Sequence, residues 1–283
     1  MKTAIWMLGA LLSFSLMAIG ARELSQQINI FQTLFFRSVV GLVVVSLLIA
    51  RTQQFSLIST QRFGVHLIRN LFHFVGQYGW FVGISLLPLA QVFALEFTVP
   101  LWTVIVASIF IGERITARKV IAIGCGLLGV AIILRPDVAT ISMGSLIVIG
   151  AAMSYSVAYV AMKSLSDTED ILTILFYMSV IQTPICLVFM LGNWVMPSII
   201  QWVWLSIIGL TGLSAHYCIA SAMRISDAGI VVTLDFLRLP LIMVVGVLFY
   251  QEGFNVGLIV GATLMLIGNV INIRQPNKAD VEQ

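Results

Sequence analysis

Ionisable residues lie deep within apolar sequence, among them Glu96, Asp235, Arg37 and Arg238. A charge at the centre of a membrane helix costs about 2.5 to 3.5 kcal/mol, so each needs a partner, a wet cavity or a task. A carboxylate at that depth can take up a proton or pair with a cationic substrate group. A guanidinium can grip a carboxylate or phosphate in a bidentate fork, or form a salt bridge with Glu96 or Asp235. Arg238 follows Asp235 by three residues and so shares its helical face. Sequence leaves both roles open for Arg37 and Arg238. Gln77-Tyr78 and His216-Tyr217 add hydrogen-bonding and stacking groups, and we take Tyr78, Trp102 and His216 as candidates to hold the organic part of a substrate. Pro100 follows Glu96 by four residues and Pro240 follows Asp235 by five. Each removes a helical hydrogen bond beside an acid, which makes the two prolines candidate hinges. Arg69, with Arg62 and His66 nearby and a span boundary a few residues away, is expected to face lipid headgroups instead.

The elements that position these residues follow from composition. Hydrophobic residues make up 60% of the chain, charged ones 10%, and mean hydropathy is +1.06, so the bilayer is its solvent. A spanning helix takes roughly 20 apolar residues. Ten such stretches are predicted, at 3–21, 30–50, 64–83, 88–110, 117–134, 142–162, 171–191, 200–220, 227–249 and 256–273, with the tightest connection at Leu87-Pro88. Little chain remains for a soluble domain. The first span loosely resembles a signal peptide, with Lys2 before an apolar run, but its match to the sixth span argues that it is retained.

That match is part of an internal repeat. A shift of about 140 residues sets Ser13-Phe14 on Ser154-Tyr155, Arg22 on Lys163, Glu96-Phe97 on Asp235-Phe236, Glu113 on Glu252, Gly129 on Gly268 and Arg135 on Arg274. The expected organisation is a first five-helix unit at 1–136, a second at 137–274 and a short cytoplasmic tail at 275–283. Five spans per unit make the second inverted in the membrane, so the fold class is all-α, a polytopic membrane protein of ten transmembrane helices in two inverted five-helix repeats. With a cytoplasmic start, ten of the fifteen basic residues fall in inner segments and only Arg22 and Arg135 in outer ones. The remaining three, Arg37, Arg69 and Arg238, lie within spans. Both termini are therefore expected in the cytoplasm. The net charge of +3 comes from this loop bias and calls for no nucleic-acid partner. Gly124, Gly126 and Gly129 in the fifth span, with Gly257, Gly261 and Gly268 in the tenth, predict close helix packing and a scaffold role for those two spans.

Several segments together resemble a known family. Phe36-Arg37-Ser38 stands early in the second span, Gly112-Glu113-Arg114 ends a proline-bearing fourth span, a glycine-rich fifth span follows, and Gln251-Glu252 echoes the acid in the second half. With the duplicated layout, these segments resemble the EamA branch of the drug/metabolite transporter superfamily over almost the whole chain. The resemblance implies an inner-membrane carrier with a central cavity, working by alternating access and commonly driven by a proton or solute gradient. It also implies structural roles for Glu113 and Glu252, capping the following helix or pairing with basic loop residues. His66-x-x-Arg69 and the aromatic stretch down to Trp80 are similar to bacterial carriers for S-adenosylmethionine and riboflavin, whereas the segment from Asp235 to Pro240 matches no one substrate subgroup.

The expected function is secondary transport of a small polar or aromatic metabolite across the cytoplasmic membrane, on the pattern of carriers for S-adenosylmethionine, riboflavin or amino acids. Glu96, Asp235, Arg37, Arg238, Tyr78, Trp102 and His216 bind substrate or protons, and Pro100 and Pro240 act as hinges. The expected partners are a small-molecule substrate, protons as coupling ion and the lipid bilayer. No cofactor or metal is expected: the three histidines, His66, His73 and His216, form no metal-ligand motif, and Cys125, Cys186 and Cys218 have no paired spacing. The alternative is an exporter of drug-like or lipid-like solutes. A membrane-embedded enzyme would need a catalytic constellation that the sequence lacks, and a passive scaffold has no reason to place two acids so deep.

Overall fold

The structure is a computed structural model that describes residues 2–111, 116–134, 142–166, 168–226, 231, 234–235, 237–253 and 256–273. Gly112, Glu113, Arg114, Arg135, Phe236, Arg274 and the tail at 275–283 lie outside the described residues.

The chain is an all-α polytopic membrane protein. Among the described residues its helices are α1 (Lys2–Leu24), α2 (Ile30–Thr52), α3 (Phe63–Leu86), α4 (Leu89–Glu96), α5 (Val99–Ile111), α6 (Ala117–Leu134), α7 (Met143–Ser166), α8 (Ile171–Met190), α9 (Ile199–Ile225), α10 (Arg238–Tyr250) and α11 (Val256–Ile273), with a 3-10 turn at Phe55–Ile58. Among the described residues, six spans are long and apolar enough to cross a membrane, and α4 with the start of α5 counts as one of them. Helix α3 is 24 residues long yet is not among the six. It buries His66, Arg69, Asn70, His73 and Gln77, which lower its hydropathy. The molecule is polar on the inside in other places too. Gln32, Arg37, Gln182 and Arg238 are buried, while Ile5, Leu8, Leu12 and Leu16 form an exposed apolar stripe along α1, as lipid contact requires.

Local chemistry sets the ends of these helices. The side chain of Asn29 accepts from Phe31 N at 2.8 Å and starts α2, and Asp170 accepts from Leu172 N at 2.9 Å and starts α8. Ser198 and Gln201 form a capping box at the start of α9. The break in the fourth crossing has a covalent cause. Pro100 lacks the N–H that would bond the carbonyl four residues back, and that carbonyl belongs to Glu96. Helix α4 accordingly ends at Glu96, and α5 starts at Val99 with Pro100 in its first turn. Pro240 likewise falls in the first turn of α10, whereas Pro184 is carried inside an unbroken α8.

The most extensive packings are α3 on α7, α6 on α11, α1 on α9 and α2 on α8. Under the sequence shift of about 140 residues, α1 maps onto α7, α2 onto α8, α3 onto α9 and α6 onto α11. The α3–α7 and α1–α9 contacts then exchange, and the other two map onto themselves. Small residues permit these approaches. A Cβ at Gly83 would stand 2.2 Å from Val148 Cγ2 on α7, and one at Gly129 would stand 2.6 Å from the carbonyl oxygen of Gly261 on α11. Because that second obstacle is backbone, it cannot turn aside. Gly129→Val is expected to force α6 and α11 apart and lower stability by about 1 to 3 kcal/mol, read as thermal unfolding in detergent. Gly124 faces open space, so Gly124→Ala, with the same readout, should be neutral within about 0.5 kcal/mol.

Candidate substrate site

Helices α1, α2, α3, α7 and α9, with Glu96 at the end of α4 and Arg238 at the start of α10, enclose a cavity of about 620 Å³ including its open mouth. Its wall is formed by Phe14, Met17, Arg37, Arg69, His73, Gln77, Trp80, Glu96, Tyr155, Ala158, Tyr159, Met162, His216, Ile219 and Arg238. On α3 the polar lining follows helical spacing from Arg69 through His73 and Gln77 to Trp80, and on α7 it runs from Tyr155 through Tyr159 to Met162. Each helix thus presents one polar stripe inward.

One end of the wall is acidic. Arg238 Nη2 donates to Asp235 Oδ2 at 2.9 Å and to Glu96 Oε1 at 3.3 Å, and Trp80 Nε1 donates to Glu96 Oε2 at 2.8 Å. Arg238 is 3% exposed, and its guanidinium carbon lies 4.6 Å from the ring centre of Phe14, 5.0 Å from that of Phe93 and 5.3 Å from that of Phe97. Those faces are attractive surroundings for a cation stripped of water. Two carboxylates share this one cation, so the cluster is one positive charge short whenever both are ionised. A proton or a cationic substrate group would restore the balance.

The other end is basic. Arg37 is 4% exposed and donates through Nη1 to Gln77 Oε1 at 2.8 Å. Gly212 makes room for it, since a Cβ there would stand 2.6 Å from Arg37 Nε. Arg69 is 1% exposed, donates to Asn70 Oδ1 at 2.6 Å and lies against Met162 Sδ at 3.8 Å. This placement corrects the headgroup role expected for Arg69. Its depth is set by packing: the glycine face of α3 draws α7 close, and Arg69 is sealed between protein elements instead of reaching lipid. Gln182 Nε2 lies 2.9 Å from His73 Nδ1, and His73 meets His216 edge to face at 5.1 Å.

The structure therefore brings together Glu96, Asp235 and Arg238 as one hydrogen-bonded cluster, and Arg37 and His216 line the same cavity. Among the described residues Arg37 bonds Gln77 and neither acid, so of the two roles left open by sequence the salt bridge is formed by Arg238 and not by Arg37. Tyr78 stacks on Phe31 at 4.6 Å and Trp102 donates to Thr98 Oγ1 at 3.0 Å, and neither is part of the lining. Arg69, His73, Trp80, Tyr155 and Tyr159 were not singled out from sequence as site residues. The polar stripe with three- and four-residue spacing along α3 was the signal that could have found three of them.

Contacts between the two halves of the chain close both ends of the bundle. At one end Glu252 Oε1 takes Arg22 Nη2 at 3.2 Å and the N–H of Leu89 at 2.8 Å. Glu252 thus caps α4 in the other half and pairs with a basic residue near a helix end, the second of the two roles expected for it. Tyr250 donates to Glu23 Oε1 at 2.8 Å beside it. At the opposite end Arg62 donates to Ser164 Oγ at 2.6 Å and Thr168 Oγ1 at 2.9 Å, and the hydroxyls of Thr3 and Ser226 are hydrogen-bonded.

Comparison with known proteins places the chain among carriers. The profile of the EamA-like transporter family matches it twice, over residues 1–135 and 142–274. The riboflavin transporter of Vibrio cholerae is 30% identical over 256 residues, covering 88% of this chain and 85% of that protein. The S-adenosylmethionine uptake transporter of Rickettsia bellii is 23% identical over 274 residues, covering 97% and 94%. A solved crystal structure at 20% identity superposes with a TM-score of 0.68 over 96% of both chains, a likeness of fold.

Proposed function

The chain belongs to the EamA-like transporter family, and on that premise we propose that it moves a small polar metabolite with an aromatic part across the cytoplasmic membrane by alternating access. The observation that carries this reading is that Arg238, on the wall of a cavity between the two halves, is shared by Glu96 on the same wall and by Asp235, which is not part of the lining. A site with one cation and two acids is built to gain and lose a positive charge, as coupling to a proton requires. Glu96 and Asp235 exchange the proton, and Arg238 holds whichever acid is ionised. Arg37 and His216 bind polar groups of the substrate while Trp80, Tyr155 and Tyr159 offer ring faces and edges to its body. Ring-bearing compounds such as the riboflavin and S-adenosylmethionine carried by the relatives suit such a wall.

In this reading residues 1–136 and 137–274 are the units that rock, 275–283 is a short tail, and both termini are cytoplasmic. The Arg22–Glu252 contact then closes the outer side and the Arg62 and Thr3 contacts close the inner side. Pro100 and Pro240 put the flexing points beside the acids, since each follows the start of a new helix. Counterflow in proteoliposomes tests the proposal: vesicles preloaded with unlabelled riboflavin, S-adenosylmethionine or an aromatic amino acid should transiently concentrate the same compound in labelled form. No counterflow with any of them would sink the metabolite reading and favour an exporter of other solutes.

A further inference from the structure

Arg37 and Arg69 are two of the most deeply buried cations among the described residues, and the hydrogen-bond partners described for them are neutral. Arg37 holds the Gln77 side-chain oxygen, and Arg69 holds Asn70 and the Met162 sulfur. Among the described residues, no carboxylate lies within ion-pair distance of either. Arg238 differs in this respect, because Glu96 and Asp235 already occupy it. Four buried donors around the two arginines lack a partner, Arg37 Nε, Arg69 Nε, Gln77 Nε2 and Asn70 Nδ2, and they outnumber the unpartnered amide oxygen nearby, Gln182 Oε1. Arg37, Arg69 and Gln77 all line the cavity, and each guanidinium lies within the electrostatic reach of the other. The repeat does not require this pair, since Met178 and Ile208 stand at the shifted positions in the second half.

Two guanidiniums held out of water with neutral partners and spare donors are unfavourable unless an anion arrives. Salt bridges within the protein would have been the ordinary solution, and the acids of the cavity are committed elsewhere. We propose that Arg37 and Arg69, with the Gln77 amide, form an oxyanion subsite, so that the transported metabolite carries a carboxylate or phosphate group. The inference rests on the carrier reading and narrows its substrate class to organic anions, zwitterions included. The anionic group seats at the basic end and the ring lies along Trp80, Tyr155 and Tyr159, toward the Glu96–Arg238 cluster.

The test uses three probes that share one ring, benzoate, phenyl phosphate and benzyl alcohol, on the purified full-length protein in detergent at constant ionic strength. Stabilisation against thermal unfolding, titrated with each, gives their relative affinities. At least one anion should bind about tenfold or more tightly than the neutral alcohol, as charge-assisted bonds to a buried site imply. Whether benzoate or phenyl phosphate leads tells a carboxylate site from a phosphate site. Arg37→Gln and Arg69→Gln should each erase most of the preference. If either variant fails to fold, arginine modification by phenylglyoxal in the unaltered protein serves instead. The preferred anion should protect Arg37 and Arg69 and leave Arg51 reactive. Equal binding of all three probes, no stabilisation by either anion, or no protection would overturn the subsite. Counterflow separates this from the carrier reading: anion preference without counterflow keeps the subsite and removes the carrier, whereas counterflow of neutral riboflavin without anion preference does the reverse.

Discussion

Arg238→Met should lower the stability of the folded protein by about 3 to 5 kcal/mol, the cost of leaving buried carboxylates without their cation. Methionine fills the space between Phe14, Phe93 and Phe97 with an apolar chain of similar length, so packing is largely kept and the charge is what is lost. The loss should then be repaired from the other side. Adding Glu96→Gln and Asp235→Asn to Arg238→Met removes the stranded charges and should restore most of the stability, with all variants compared by unfolding in one detergent. Arg238→Lys should fall between, because one ammonium point charge does not reproduce a planar group that reaches both acids and lies against three rings. A loss below about 1 kcal/mol for Arg238→Met, in the range of exposed ion pairs, would mean that water reaches the cluster freely.

The second large effect concerns movement. Thr3 and Ser226 hydrogen-bond through their hydroxyls across the two halves, so this is the position at which to place a pair of cysteines for cross-linking. In a chain with Cys125, Cys186 and Cys218 replaced by serine, oxidised Thr3→Cys/Ser226→Cys protein should lose nearly all substrate flux. Reduction should restore it in the same vesicles. Full flux with the disulfide formed would show that this end need not open. The Arg62 contacts to Ser164 and Thr168 stand at the same end and would be held with it.

Much of this architecture was legible in the chain because membrane physics is strict. Apolar runs long enough to cross a bilayer gave the helices, and the paired depths of Glu96 and Asp235 stood out because acids in such runs are costly. The break after Glu96 could be read from Pro100, four residues on, whose missing N–H strands the carbonyl of the acid itself. What could not be read was rotation and burial. Gln77 and Tyr78 are neighbours, but successive residues on a helix point about 100° apart, so only one can face the cavity, and the polar one does. Trp102 comes after the break, and its indole bonds Thr98 one turn back on its own segment. For Arg69 the sequence shows only its distance from the helix end, a measure of depth in lipid. Its burial depends on how closely α7 approaches α3, which Gly76, Gly79 and Gly83 decide through tertiary packing.

The most direct test of the central claim, that an acid cluster sharing one arginine couples transport to protons, is accumulation in proteoliposomes under an imposed pH gradient. It compares the unaltered protein with Glu96→Gln, using the compound that gives the strongest counterflow. The unaltered protein should concentrate the compound about tenfold per pH unit for one coupled proton, since one unit is worth about 1.4 kcal/mol. Glu96→Gln should still exchange label by counterflow and yet reach only equal concentrations on the two sides. Accumulation by Glu96→Gln equal to that of the unaltered protein, or an unaltered protein indifferent to the gradient, would contradict the account.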